Sequence, residues 1–325
     1  MYEIRNLAVL TVLLLWGCTA PPTIKDAEDI VPDAQIVFGS VEVWSGDEQE
    51  TWGVKFFGSN YFYLMMLPPD STEAITYRLD KDGNFFWALE PGEYKLIGYH
   101  WANEGIQQTG NLDLTFVVAE SGNDTYLGNI VFRNFGPYML PVIDDQFDTV
   151  AAQFDTRFPA RSGTAVKQLL EPAAPIGEYA DMRDECHKDW NIDCDKRFQG
   201  VTPVAPKVSQ SGFPTVGSLQ PEFRWKPCGK QGISYDIVLY EAAAYALSGL
   251  TQTLYMKGRV VAYEEGLTEA HWQPDSPLRP DTRYFWSVRM RDGDTVSHWS
   301  TQSHSTFLLV YMSWGSGQWF QFKTS

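Results

Sequence analysis

Between Gln35 and Phe135, short runs of β-branched and aromatic residues alternate with Gly, Pro, Asn and Asp, a punctuation that leaves little room for any fold but stacked sheets. QIVFGSVEVW, WGVKFF, YFYLMML and EAITYRL are strand-forming runs. DKDGNFFWALEPGEYKLIGYHW reads as strand, Pro-Gly turn, strand, and LTFVVAESGNDTYLGNIVF as two strands about a Ser-Gly-Asn-Asp turn. Asp82-Gly83 reads as a hairpin turn. Strict alternation places Tyr94, Leu96 and Gly98 on one face and Lys95, Ile97 and Tyr99 on the other. Roughly seven such strands in about 100 residues predict an antiparallel β-sandwich.

The texture then changes. Asp144-Asp145-Gln146-Phe147 can cap a helix whose apolar residues, Phe147, Val150, Ala151, Phe154 and Phe158, recur at helical spacing until Pro159 stops it. Residues 165–170 read as a further short helix. Residues 179–198 carry Cys186 and Cys194, and residues 202–218, rich in Pro, Gly and Ser, read as a linker. Beyond it, Tyr284, Trp286, Val288 and Met290 alternate as an inner face against Arg283, Ser287, Arg289 and Arg291 outside. The stretch AAAYALSGLTQTLYMKGRVVAYEEGL, between Glu241 and Leu267, reads as partly helical. The chain is therefore expected to be mainly β: two antiparallel β-sandwich domains joined by a short helical, disulfide-bearing connector. The boundaries are a leader over residues 1–17, a tether over 18–33, a first sandwich over 34–136, the connector with its Cys loop over 137–204, and a second sandwich with a C-terminal strand over 205–325.

The leader carries an apolar run over residues 7–17, behind Arg5. A membrane-crossing helix takes about 20 such residues, whereas a secretory signal has this layout. Leu15-Trp16-Gly17-Cys18 resembles the lipobox of bacterial lipoproteins. That resemblance implies cleavage ahead of Cys18, lipidation of its thiol with palmitate-like chains, and, with no Asp behind it, an outer-membrane address. Two or more acyl chains anchor stably where one does not. DGNFFWALEPGEYKL and FVVAESGNDTYLGNI resemble the prealbumin-like or carboxypeptidase-regulatory-like sandwiches of such lipoproteins. PEFRW, YDIVLYE and PLRPDTRYFWSVRMRDGDTVSHWS resemble the fibronectin type III fold, with Trp225 as its early core tryptophan and Tyr235 as its C-strand aromatic. Leu278-Arg279-Pro280-Asp281-Thr282-Arg283-Tyr284 matches that family's L-x-P-x-T-x-Y signature, which implies a tyrosine corner with the Tyr284 hydroxyl bonded back to the backbone.

Charge narrows the partners. Lys and Arg total 25 against 41 Asp and Glu, a net charge of −16, which repels nucleic-acid phosphates and anionic lipid head groups alike. Membrane contact is thus expected through the lipid anchor alone, and no nucleic acid is an expected partner. In an oxidising compartment Cys186 and Cys194 pair most simply with each other, although Cys228 could claim either. Cys186, His187 and Cys194 lack the second ligand pair a zinc site needs. Asp80, Asp82 and Asn84 lack the sixth-position glycine and the distant bidentate Glu of an EF-hand calcium loop. His100, His187, His271, His298 and His304 stand singly, and no nucleophile elbow, P-loop or dinucleotide fingerprint occurs. No catalytic residue, metal or cofactor is expected. Aromatics outside the alternation, Trp314 and Trp319 above all, are candidate interaction residues. The expected role is a non-catalytic envelope lipoprotein acting as an interaction or assembly module, with an envelope protein as partner. The alternative is a glycan-binding accessory lipoprotein using exposed aromatics.

Overall fold

The computed structural model describes residues 35–173, 178–179, 201–246, 253–299, 303–307, 312–314 and 320–325, apart from 46–47, 50–52, 56–57, 80–81, 104–105, 121, 136–137, 202, 207–211, 228–230 and 298. The first half contains β1 (Gln35–Ser45), β2 (Glu48–Gln49), β3 (Gly53–Lys55), β4 (Gly58–Leu67), β5 (Ile75–Arg78), β6 (Asn84–Leu89), β7 (Gly92–Asn103), β8 (Ile106–Val118), β9 (Thr125–Phe135), β10 (Tyr138–Asp144), α1 (Phe147–Arg157), β11 (Val166–Lys167) and β12 (Glu171–Pro172). The second contains β13 (Glu178–Tyr179), β14 (Pro203–Ala205), β15 (Thr215–Val216), β16 (Phe223–Trp225), β17 (Ser234–Tyr245), β18 (Leu254–Leu267), β19 (His271–Trp272), β20 (Arg283–Asp292), β21 (Thr295–Val296), β22 (Ser303–Phe307), β23 (Met312–Trp314) and β24 (Gln321–Thr324). The molecule is mainly β, as the runs of branched and aromatic residues require.

The first sandwich is two facing sheets. In one, β1 runs antiparallel to β6 and parallel to β9, and β10 closes the far side of β9. In the other, β7 lies between β4 and β8, with β5 beyond β4. The parallel β1–β9 pair departs from the purely antiparallel sheet expected. The two strands are far apart in sequence and joined through the opposite sheet, so no hairpin fixes their relative direction. For the same reason Asp82-Gly83 is not a hairpin turn: it carries the chain from β5 in one sheet to β6 in the other, and the Gly83 carbonyl accepts the Val41 N–H at 2.8 Å. Between the sheets, Val37, Phe62, Leu64, Phe85, Trp87, Leu96, Tyr99, Leu114 and Phe132 form one buried cluster.

Alternation along β7 breaks where an extra residue is inserted opposite Met65 and Met66. Tyr94 and Leu96 point inward, Ile97 points outward, and Tyr99 and Trp101 point inward again. A bulge of this kind shifts the two-residue period by one, so Tyr99 belongs to the core rather than beside Lys95.

The segment expected as a helical connector begins instead with β10, a strand of the first sheet. α1 follows where the spacing predicts it, with Asp145 Oδ1 accepting the Phe147 N–H at 3.2 Å. Its buried Val150 and Phe154, with Phe158, pack on Ile36, Phe38, Phe86 and Tyr126, and Phe38 stacks on Phe154 at 4.3 Å. Residues 165–170 are extended rather than helical. The N–H groups of Val166, Gln168 and Leu170 donate to the carbonyls of Asp124, Tyr126 and Leu127, groups that β10 leaves open. Buried Asp124 ties these pieces together, accepting from the Ile36 N–H, Arg161 and the Thr164 hydroxyl.

The second sandwich sets β18, β17, β20 and β24 against β14, β16 and β19. The described parts of the segment expected as a linker carry strands: β14 pairs with β16, and β15 pairs in parallel with β24. Proline is tolerated in such edge strands. Trp225, Tyr235, Ile237, Tyr284, Trp286, Val288 and Phe322 fill the interior. The Tyr284 hydroxyl accepts the Arg279 N–H at 3.0 Å, the tyrosine corner that the fibronectin-type signature implied. This half is a β-sandwich of four strands against three. Its outward alternation is corrected at two positions, since Ser287 and Arg289 are fully buried. A second layer, Tyr240, Phe285 and Trp299 with Phe213, covers that face.

The described residues of the stretch between Glu241 and Leu267, 242–246 and 253–267, are extended rather than helical. They form the far end of β17 and nearly all of β18, a long hairpin. Alanine favours helix, but propensity is a weak prior that tertiary burial overrides. Ala243, Tyr245 and Met256 pack on Met65, Leu67 and Ile97, the outer face of the β4–β7 sheet. Small residues let the layers close: a Cβ on Gly98 would come within 2.5 Å of Met256 and 2.7 Å of the Gly110 carbonyl. Ala244 exchanges backbone bonds with Thr72 and Ala74, and Arg259 donates to the Pro68 carbonyl at 2.5 Å. Further along, β22 pairs antiparallel with β8 before β24 returns to the second sandwich. The sandwiches are thus joined face to face and edge to edge.

Candidate functional site

Two places concentrate polar groups. The first is a buried cluster between the sandwiches. Lys95 on β7 and Lys257 on β18 are 2 % and 5 % exposed. Lys95 Nζ lies 2.5 Å from Asp113 Oδ1 and donates to the Gly258 carbonyl at 2.5 Å. The Tyr240 hydroxyl donates to Asp113 Oδ2, also at 2.5 Å. Both ammonium groups face the Tyr240 ring, at 4.7 and 4.9 Å from its centroid. Burial would raise the Asp113 carboxyl, but Lys95 and Lys257 outweigh it and hold the group below its ordinary value. Burial lowers Lys95, and it lowers Lys257 to about 8, against which Asp113 only partly compensates. Asp113 also takes φ +68°, a left-handed conformation uncommon outside glycine. Shifted groups and a strained backbone often mark function. Here every partner comes from the two packed sheets, so the cluster is a polar clamp within the interface.

The second is an open groove of about 400 Å³ on the outer face of the β1–β9 sheet. It follows from the alternation of β1. Ile36 and Phe38 face outward under α1, and the next outward residues, Ser40, Glu42 and Trp44, lie beyond the helix where the face turns polar. Ser40, Val41 and Glu42 supply the floor, Gln49, Asp82 and Asn84 one side, and Gln146, Thr149, Val150 and Gln153 of the first turns of α1 the other. The floor is fixed from below. Buried Asn129 accepts the Ser40 hydroxyl at 2.9 Å and donates to Glu42 Oε1 at 2.8 Å, while the Trp44 indole N–H donates to Oε2 at 3.0 Å. A carboxylate has about four acceptor positions, so Glu42 keeps capacity toward the groove. Among the described residues that line it, Glu42 and Asp82 are the titratable members, and none is Lys, Arg, His or Cys.

The residues singled out from sequence are not brought together at either place. Cys18, Cys186, Cys194 and Cys228 lie outside the described residues, as does Trp319. Trp314 is placed only as the last residue of β23. His100 sits in the first sandwich, its Nδ1 2.9 Å from the Thr109 hydroxyl, and His271 lies near Glu269 at 3.2 Å. Among the described residues no group of three or more His, Cys, Asp or Glu converges. Asp292-Gly293-Asp294 lies at the hairpin between β20 and β21. The groove was missed. Its one local signal is the switch from Ile36 and Phe38 to Ser40 and Glu42 on one face of a strand.

A scan against models of known families and a search of curated proteins match nothing to this chain. Among solved structures the chain is similar to the FN1–FN3 domains of chicken CNTN1, at 10% identity over 84% of this chain and 67% of that one, with a TM-score of 0.19. It is similar to a leucine-rich repeat protein from Bacteroides thetaiotaomicron at 13% identity over 90% and 25% of the two chains, TM-score 0.23. A DUF3823 family protein from Bacteroides ovatus is 12% identical over 85% and 99%, TM-score 0.18. Likenesses this faint carry no argument, and the two sandwiches rest on their own strand pairing.

Proposed function

We propose that this chain is a non-catalytic recognition module of a bacterial cell envelope, held at the outer membrane by acyl chains on Cys18 and acting through the groove beside α1. The observation that carries the reading is the groove itself. Its floor is held by a fixed hydrogen-bond chain on rigid strands, the arrangement that favours binding because little ordering remains to be done. Among the described lining residues the Ser40 hydroxyl donates to Asn129 rather than to a base, which suits the groove to holding a ligand. In this reading the first sandwich is of the prealbumin-like or carboxypeptidase-regulatory-like type. The parallel β1–β9 pair at the centre of its outer sheet and the four-strand β5–β4–β7–β8 sheet facing it support that. The tether over residues 18–33, rich in Pro and acidic residues, gives the body reach from the bilayer.

A photo-crosslinking residue placed at Gln153 in the anchored protein tests this in cells. A discrete adduct is expected from Gln153 that is lost when Cys18 is changed to Ser. No adduct at the groove, or the same adduct from the Cys18→Ser form, contradicts the reading.

A further inference from the structure

We infer that the groove takes a neutral, polyhydroxylated sugar ring. This deepens the recognition reading and rests on it. The chemistry of the lining decides among ligand classes. Among the described residues the lining carries two carboxylates and no basic side chain, a balance that disfavours phosphates, sulfates and acidic sugars. Only Val41 and Val150 are apolar, too little to take a lipid chain or an aromatic ligand. A hard cation such as calcium wants six to eight oxygens, whereas the described lining holds two carboxylates, and Asp82 stands on the exposed side opposite Glu42. A sugar hydroxyl both donates and accepts. Gln49 and Gln153 carry exposed amides that do the same, Gln146 keeps its amide oxygen while its NH2 donates to Asp144 Oδ2 at 2.9 Å, and Glu42 offers lone pairs to donors. The volume, about 400 Å³, falls in the range of ~300–1,000 Å³ usual for small-ligand pockets.

Trp44 stands beside the lining rather than in it, between Glu42 and the strand partner Gln49, where its ring can meet the C–H face of a sugar that extends past the groove's end. It is the next outward residue of β1 after Glu42, and its backbone pairs with that of Gln49. Its indole is half-buried and held by Glu42. An aromatic presented rigidly beside planar polar groups offers stacking together with directed hydrogen bonds.

Saturation-transfer NMR on the full chain in zwitterionic micelles, with glucose, galactose, mannose and N-acetylglucosamine at millimolar concentration, tests the inference. Phosphate, spermidine and calcium serve as counter-probes. Transfer to the ring protons of at least one sugar is expected, undisturbed by the counter-probes. Gln153→Ala, an exposed position, and Glu42→Gln should each weaken that sugar by about 3- to 10-fold, the size of one or two lost hydrogen bonds. The melting temperature of Gln153→Ala should stay unchanged. Absence of transfer from all four sugars overturns the inference, as does transfer undiminished in both variants or displacement by calcium or spermidine. If the sugars fail while Gln153 still crosslinks to a protein in cells, the ligand class falls and the recognition reading stands.

Discussion

Lys257 shows how one residue can work against the interface that surrounds it. Two ammonium groups share the single carboxylate of Asp113 between the sandwiches, so one positive charge is left incompletely matched in a desolvated place. Its folded-state value of about 8 lies below the ordinary 10.5. The unfolded chain then holds a proton that the folded chain has lost between those two values, and stability rises with pH across that window. Below about 8 the penalty is present in full. Lys257→Met should therefore stabilise the protein at pH 7, by about 1–3 kcal/mol, and abolish the rise between pH 8 and 10.5 seen in chemical unfolding of the unaltered chain. Asp113 acts in the opposite sense, because its carboxyl is held low and its contribution fades as acid protonates it. Tyr284 is a plainer case. Tyr284→Phe strands the Arg279 N–H and should cost about 1–3 kcal/mol in denaturant unfolding. An unchanged midpoint would mean the corner bond is idle.

Among the elements, the β17–β18 hairpin decides how the halves meet. Its outer part is covered on one side by Met65, Leu67 and Ile97, and it closes because Gly258 has no side chain. A Cβ there would come within 2.5 Å of the Glu241 carbonyl, a backbone atom that cannot move aside cheaply. Gly258→Val should open the hairpin beyond Tyr240 and speed amide exchange at Met65, Leu67 and Ile97, while the interior around Trp286 keeps its protection. Uniform exchange across both regions would contradict this. The same elements show what can be read without coordinates. The Tyr284 corner was legible because its signature is local, and α1 because its apolar spacing and Pro159 agree. Residues 165–170 and the Ala242–Ala244 run were misread because their propensity is helical, whereas their state is set by an open sheet edge and by the facing Met65–Ile97 surface. Of the groove, only the switch from Ile36 and Phe38 to Ser40 and Glu42 along β1 was legible. Its walls come from β1, β2, the turn at Asp82 and α1, and they meet only because β1 pairs with β6 and α1 stops short of Ser40.

At the scale of the whole molecule, the two sandwiches behave as one body rather than as beads on a connector. Inter-domain contacts within a chain commonly permit relative motion. Here the contact combines an apolar layer, the Lys95–Asp113–Tyr240–Lys257 clamp, backbone bonds between Ala244 and the Thr72–Ala74 segment, and β22 added to the edge of β8. Such a body gives the groove a fixed place relative to both halves. Scanning calorimetry of the full chain decides whether the halves are joined this firmly. One heat-absorption peak, with calorimetric and van't Hoff enthalpies equal, is the expected result. Two resolved peaks, or a calorimetric enthalpy about twice the van't Hoff value, would mean that the sandwiches unfold independently and that the interface does not unite them.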